Sequence, residues 1–570
     1  MQKKEKVSLI IEGKKFVSRK DLLSEHSDYF RAMFSGNYRE NDQKEIKIDV
    51  VDADSMRTIL QYVNNGHVDL SNKVLDDLAV SANFLQMTEF MKQIEYTLYS
   101  NLSHSNWLQT IAIAEAISSS KLEETAVAFG ILSFTAMEPD CIPSIQLLHW
   151  YLSHPYLDTY NEFEVFKFGY KWVVEQKLSA DAVLVVLGCL DVTALSSDNI
   201  RDMLKLLGKF RGTLPKKIVE CLLFLNTKHN LNLTTIDELK PKITEKYTEH
   251  VFTEVKSLLK LNCKRKLDLV PCVPVCPEQF SQHMYQFEEG KGLVKWIEIG
   301  PRSLWGWSLS NWGRTKLVVV GGEYRKGSGV FNRQVAVYDT LRKEWDRHGV
   351  MLPPCRHAGV TVLGNSLFIA GGVGSFRVVL STCIVYDLEE HSYRKVADIP
   401  DALQNPAICA HEGYVYLSST NNIFRFEDNN QDGKWHELIV THIRANYMIS
   451  YDRHIYLTQY YHHQLYRFKP EDKWKVMQLE NISQFENAAS AMCNAGKLDS
   501  ITFSQSMATN DHQFVEEFEQ GQTKVIWKDE KRELDIYDAA GCCALLLTSP
   551  PRKCQVSTYS NKYLALFPEN

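Results

Sequence analysis

Thirteen cysteines and eighteen histidines are the residues of this 570-residue chain best suited to metal binding or nucleophilic attack. The densest cysteine stretch is CKRKLDLVPCVPVCPEQF at 263–280. Cys272 and Cys276 stand four apart with a proline between them, but no second pair or nearby histidine completes the four ligands of a structural zinc site. The stretch reads instead as a proline-rich linker with free thiols. His462 and His463 are adjacent, and adjacent residues on a strand point to opposite faces, so they are poor joint ligands and fit a surface loop better. No metal and no cofactor are expected. The chain has no Walker-type phosphate loop, no Gly-x-Ser-x-Gly and no His-Glu-x-x-His. The pairs Gly321-Gly322 and Gly371-Gly372 do not open a helix, so they do not cradle phosphate. The expectation is a protein that performs no bond chemistry.

Composition agrees with a binding protein of ordinary globular type. Apolar residues make up 44% and charged residues 24%, with a net charge of −6. That balance gives no global argument for nucleic acid or an anionic membrane. A DNA-binding reading would also need zinc fingers or a basic module. The start, MQKKEKVSLII, is charged and then strand-like, unlike a secretory leader. The apolar run AVLVVLGCL at 182–190 is far short of a membrane span. An odd number of scattered cysteines favours reduced thiols, so a cytoplasmic protein is expected, with nuclear or cytoskeletal placement left open.

The elements that must position any binding residues change character near residue 290. Before it, apolar residues recur at helical spacing: Val74, Leu78, Ala82 and Leu85, then Leu108, Ile111 and Ala112, then Phe163, Phe166, Tyr170 and Val173. After it, short β-rich runs alternate with turns and repeat. KLVVVGG, VAVYD and EWDRHGV return as SLFIAGG, CIVYD and SYRKVADIP, then more loosely four times more. The period of about 40 to 50 residues suits four-stranded propeller blades. The diglycines let backbones approach where a side chain would collide. The outer-strand aromatics Trp345, Tyr393, Trp435, Trp474 and Trp527 are expected to cover the gaps between neighbouring sheets.

This half resembles the Kelch repeat family, most closely at Gly321-Gly322 with Tyr338-Asp339 and at Gly371-Gly372 with Tyr386-Asp387. The N-terminal stretch VSLIIEGKKFVSRKDLLSEHSDYFRAMFSGNYRE resembles the BTB (POZ) domain: alternating strand, glycine turn, then a helix ending Ser-x-Tyr-Phe-x-x-Met-Phe. The resemblance runs on through residues 46–87, where Asn64-Asn65-Gly66 replaces the usual Tyr-Thr-Gly turn. NLSHSNWLQTIAIAEAISSSKL resembles the start of the BACK domain, and Glu162, Val165, Phe166, Trp172 and Val173 match a later BACK helix. The implied architecture is multidomain: an α/β BTB domain at 1–100, an all-α BACK domain at 101–262, a linker at 263–294 and an all-β, six-bladed Kelch propeller at 295–570.

Proteins resembling this one are typically substrate receptors of cullin-3 ubiquitin ligases. The resemblance implies that BTB and the first BACK helices grip cullin-3 while the propeller holds a target protein. Target lysines then sit at high effective concentration beside a loaded conjugating enzyme. The hydrophobic-x-Glu motif of the family's cullin contact is carried by Tyr38 and Glu40, after Met33 and Phe34, with Asn106 and Trp107 at the BACK end. A BTB homodimer is expected, weakened by Lys6 where the family has Asp and by Arg19-Lys20, since like charges repel in a partly desolvated pocket.

In Kelch rings the partner face comes from the loops joining second to third strands and those entering the first strand. Those loops here carry Arg325, Arg333, Arg356, Arg377 and Arg444, a donor set suited to acidic side chains or phosphate. Tyr324, Phe376, Tyr447, Tyr460, Tyr461, Phe485 and Tyr537 supply flat contacts, and Asn405 and Asn487 polar ones. Arg356 also stands where the repeat has an arginine after proline, so it has a blade-holding reading as well. The rival function is a non-ligase scaffold that uses the ring to organise actin or another cytoskeletal partner.

Overall fold

The computed structural model describes residues 5–567 except 37–42, 72, 160, 229–232, 261–264, 266–268, 279–280, 300–303, 430–431, 442, 452–453, 461, 471–478, 487, 490, 497, 504–512, 520, 529–540, 549 and 551–562. The chain forms two compact units, one from residues 1–266 with 549–570 and the other from 267–548.

The first unit begins with a hairpin of strands Lys6–Ile11 and Lys14–Arg19. The turn falls at Glu12-Gly13, both at positive φ (47° and 74°), where glycine removes the Cβ penalty. Val7, Leu9 and Ile11 alternate into the core, the period expected of a half-buried strand. A third strand, Glu45–Lys47, runs parallel to the first. The helix Ala53–Asn65 starts at Asp52, whose carboxylate accepts from the amides of Asp54 (3.0 Å) and Ser55 (2.8 Å). It stops at Gly66, left-handed at φ 75°, so Asn64-Asn65-Gly66 is a helix terminus.

Helices from Trp107–Ala116 to Glu249–Lys260 build a second core in this unit. Trp107 and Ile111 join that core, while Ile113, Ala114 and Ile117 of the same helix join the first one. The polar centre of the helical core is Glu162. Its carboxylate takes two hydrogen bonds from Arg265, at 2.8 and 3.0 Å, and one from the amide of Asp191. Arg265 also donates to the carbonyls of Leu152, His154 and Cys189. The propeller expected to run to residue 570 ends earlier. Tyr563, Leu564 and Phe567 lie in the helical core, because their apolar side chains find cover there.

The second unit contains, among the described residues, six four-stranded antiparallel sheets. Five are consecutive. The first of these has strands Leu304–Trp312, Lys316–Tyr324, Val335–Asp339 and Glu344–Arg347, and the second has Gly359–Leu363, Ser366–Ala370, Cys383–Asp387 and Ser392–Val396. The sixth corrects the linker expected at 263–294. Val270–Glu278, Ser281–Glu288 and Gly292–Glu298 are its three outer strands, and the innermost is Cys543–Leu545 from the far end of the unit. Cys543 lies opposite Cys272, so both thiols are buried core groups. Pro271 lies opposite Ala544 of the short innermost strand and Pro274 opposite Met284, so the prolines that suggested a linker stand within the sheet. Successive innermost strands touch around a complete ring, which covers the inner edge of each sheet and leaves only the short outer strands as edges.

Candidate target-binding face and partner-binding segment

The two diglycines join each blade to the next. Gly322 donates its amide to the carbonyl of Cys355 at 2.9 Å, and Gly372 donates to Leu403 at 2.7 Å. All four glycines have positive φ. A Cβ on Gly371 would lie 2.6 Å from the Leu403 carbonyl, and one on Gly372 would lie 2.7 Å from that of Arg356. For Gly371 the collision is with the loop entering the next blade, and for Gly372 with the loop entering its own. The outer-strand tryptophans that are described pack as expected, whereas Tyr393 is 43% exposed and covers no seam. The Trp435 ring nitrogen donates to the Ala397 carbonyl of the preceding blade at 3.0 Å. Trp527 lies so close to Gly292 that a Cβ there would sit 2.1 Å from the ring. Trp345 packs on Tyr338, at 5.1 Å between ring centroids. Trp474 lies outside the described residues.

These hydrogen bonds draw the second-to-third-strand loops and the entry loops onto one face. Arg356 and Val373 exchange backbone hydrogen bonds, and Asn405 donates its amide to His357. The Arg444 guanidinium reaches the Gln404 carbonyl at 3.2 Å, and Arg377 lies against Gly327. At the centre is a cavity of roughly 120 Å³ lined by His357, Asn405, Asn446, Tyr447, Tyr460 and backbone at Gly306. Arg325, Phe376, Arg377 and Asn405 are exposed on this face, and Phe376 is 99% exposed. These four and His357 all have φ between 50° and 64°, a left-handed conformation that side chains resist and that collects at binding sites. Tyr324 and Tyr460 are partly exposed, while Tyr461, Asn487 and Tyr537 lie outside the described residues.

Four expected contacts are corrected or narrowed. Phe485 is wholly buried, packed with Tyr456, Leu465 and Phe518, and cannot present a ring. Arg356 is buried against Glu323 (3.5 Å) and stacks on Trp305 (4.9 Å), which makes it a blade-holding residue. Tyr447 directs its hydroxyl to the Cys542 carbonyl at 3.0 Å, so it lines the cavity. Arg333 is exposed, but its side chain is held on the Leu352 carbonyl at 2.5 Å.

The sequence did not single out Trp305, Glu323, Lys326 or His357. Lys326 also lies over the Trp305 ring, at 5.0 Å, and His357 meets that ring edge-on at 4.6 Å. Nε1 of Trp305, Nε of Arg356 and Nε2 of His357 are buried without a hydrogen-bond partner among the described residues. Burial, reinforced by Arg356 and Lys326, pushes the His357 imidazole down to about 4, so it is neutral near pH 7. The one available signal was the run CRHA beside the second diglycine blade, and it did not identify Trp305 or Glu323 as partners.

At the other end of the chain, Ser27 caps the helix Asp28–Met33 through the Phe30 amide. Phe34 stacks on buried Phe30 at 5.8 Å, with the Lys20 ammonium 5.4 Å from its ring. Met33 and Phe34 are half-buried against the first core, and Tyr38 and Glu40 lie outside the described residues. Asn106 is tied to its own turn, donating to the Asn101 carbonyl and accepting from the Ser103 amide. Trp107 is corrected from a contact to a core residue. It is 1% exposed, stacked with Trp150, and a Cβ on Gly130 would come within 2.3 Å of its ring. Two of the charges that weaken the dimer expectation have local partners, with Arg19 paired to Asp21 and Lys20 to Glu5.

Comparison with known proteins agrees with both halves. The BTB/POZ domain matches residues 2–102 and the Kelch motif matches residues 354–400. The chain is 21% identical over 443 residues to Kelch repeat and BTB domain-containing protein 1 of Vaccinia virus (strain Copenhagen), covering 73% of this chain and 76% of that one. It is 24% identical over 415 residues to Kelch-like protein 26 of Danio rerio, covering 65% and 67%, and 22% identical over 385 residues to Kelch-like protein 15 of Mus musculus, covering 64% and 59%. The two family models and these relatives support a BTB–Kelch architecture for this chain. It joins a small α/β domain to helices and a propeller in one chain. Among the described residues no helix is long and apolar enough to cross a membrane.

Proposed function

We propose that this BTB–Kelch protein is a substrate-recognition adaptor of a cullin-3 ubiquitin ligase. The observation that carries the reading is the pairing of a BTB/POZ domain with a ring whose strand-connecting loops converge on one face. The BTB end takes the cullin through Tyr38 and Glu40, placed just after the Phe34 that stacks on Phe30. The propeller face takes the target. Its exposed Arg325, Arg377 and Arg444 and the projecting Phe376 suit an acidic segment carrying an apolar residue. The adaptor works by raising local concentration, so it needs no nucleophile or general base. A BTB homodimer would present two such faces to one ligase.

Calorimetry of the full chain with the N-terminal domain of cullin-3, beside the Tyr38→Ala/Glu40→Ala double variant, tests the proposal. Binding that the folded double variant loses supports it. Absence of binding by the folded wild type overturns it and leaves the cytoskeletal scaffold as the reading to pursue.

A further inference from the structure

Outside that face, at the rim of the propeller, a neighbouring blade brings His391 to two groups that stand two residues apart in sequence. Asp346 lies on the outer strand Glu344–Arg347, and His348 follows directly. His391 lies in the turn between Cys383–Asp387 and Ser392–Val396 of the next blade. One ligand atom from each side chain falls within 4.8 Å of the other two. The imidazoles stack with centroids 3.7 Å apart at 21°, and Nε2 of His348 is 3.6 Å from a carboxylate oxygen of Asp346.

We propose that Asp346, His348 and His391 bind one divalent transition-metal ion of the zinc class across this seam. Two imidazoles with one carboxylate suit zinc, copper or nickel, whereas magnesium and calcium prefer oxygen ligands alone. His348 has the second partner typical of a metal-bound histidine. Its Nδ1 lies 2.8 Å from the buried Tyr386 hydroxyl, which fixes the ring and leaves Nε2 as the ligand. The His348 side chain is only 1% exposed. Burial, then His391 and Lys316, lower its proton affinity, while Asp346 opposes them, and a neutral ring is the form that ligates.

His391 is held at φ 53° in its turn, an unfavourable conformation for a residue with a Cβ. Ligand atoms on one tetrahedral zinc stand about 3.3 Å apart for bonds near 2.0–2.1 Å. Closure therefore needs the half-buried His391 ring to leave the stack and swing toward Asp346. Three protein ligands leave a coordination position for water or a partner's side chain. The ion would tie one blade's outer strand to the next blade's turn.

The test uses the full chain stripped with EDTA and titrated with zinc chloride by calorimetry. Asp346→Asn and His391→Ala serve as variants because neither side chain is fully buried. The wild type is expected to bind one more zinc per chain than either variant. Its thermal transition should rise with zinc and not with magnesium, and the variants should lose that rise. With one equivalent of copper(II), electron paramagnetic resonance should report two nitrogen ligands in the wild type and one in His391→Ala. The same zinc stoichiometry in all three folded proteins would overturn the proposal, since the other cysteines and histidines would then account for the binding.

Discussion

The amide of Gly372 points at the carbonyl of Leu403 from 2.7 Å, across the junction between two blades. Gly322 and Cys355 make the same bond one blade earlier, at 2.9 Å. The repeated diglycine thus sets the spacing between blades as well as the turn within one.

Gly372→Ala should therefore be costly. At φ 94° its Cβ would lie 2.7 Å from the Arg356 carbonyl, so backbone strain and a backbone clash act together. A loss of about 3 kcal/mol or more is expected. Gly413→Ala is the control: φ is 85° but nothing lies within 4 Å of the added carbon, so only about 1 kcal/mol should go. Urea unfolding followed by tryptophan fluorescence compares the two, and equal losses would refute the backbone clash with Arg356.

Glu162→Ala should weaken the helical unit. The change leaves the Arg265 guanidinium, whose side chain is 11% exposed, without its carboxylate. Removing one partner of a buried pair costs about 3–5 kcal/mol. The carbonyls of Leu152, His154 and Cys189 still accept from Arg265, which puts the loss at the lower end of that range. Helix content on thermal unfolding should show an earlier transition, and an unchanged one would mean that the pair is solvated.

These two cases show which features could be read from the sequence. Diglycines and outer-strand tryptophans repeat at fixed offsets, so their roles were visible before any coordinates. Glu162 was visible only as a position in a BACK-like helix, because its partner Arg265 lies 103 residues away. Trp107 and Phe485 were misassigned for a different reason, since an aromatic at a helix start or in a loop looks the same buried or exposed. The closing blade was hidden because one of its strands lies about 270 residues from the others, and prolines masked its first strand. Asp346 and His348 stand two residues apart, but His391 joins them only through blade packing, which no motif spacing shows.

The pH response should identify His357. Its imidazole ordinarily titrates near 6.5 and is pushed down to about 4 by burial beside Arg356 and Lys326. A depressed histidine contributes its stability above 6.5 and loses it as pH falls toward 4. The full difference is about 3 kcal/mol. His357→Asn, which tolerates the positive φ, should make the propeller's stability less steep between pH 6.5 and 4, with buried His348 and His411 supplying the remaining slope. His149, lowered to about 4 in the helical unit, would still titrate in that variant. Trp305, edge-on to His357 at 4.6 Å, provides a local fluorescence probe. A variant with the wild-type pH profile would exclude His357 as the source.

The arginines should separate into two groups. Arg325, Arg377 and Arg444 are exposed, so replacing all three with glutamate should leave the unfolding midpoint nearly unchanged, within about 0.5 kcal/mol per site. Binding to an array of acidic peptides should fall at least tenfold, because reversed charge repels what the face is proposed to hold. Arg356→Ala should behave in the opposite way. It strands Glu323, whose side chain is 3% exposed, and strips the cation from the Trp305 ring, so stability should fall by about 3 kcal/mol. Acidic peptides retained by the triple variant and lost by a folded Arg356→Ala would place the binding charge at the centre of the ring instead of its exposed loops.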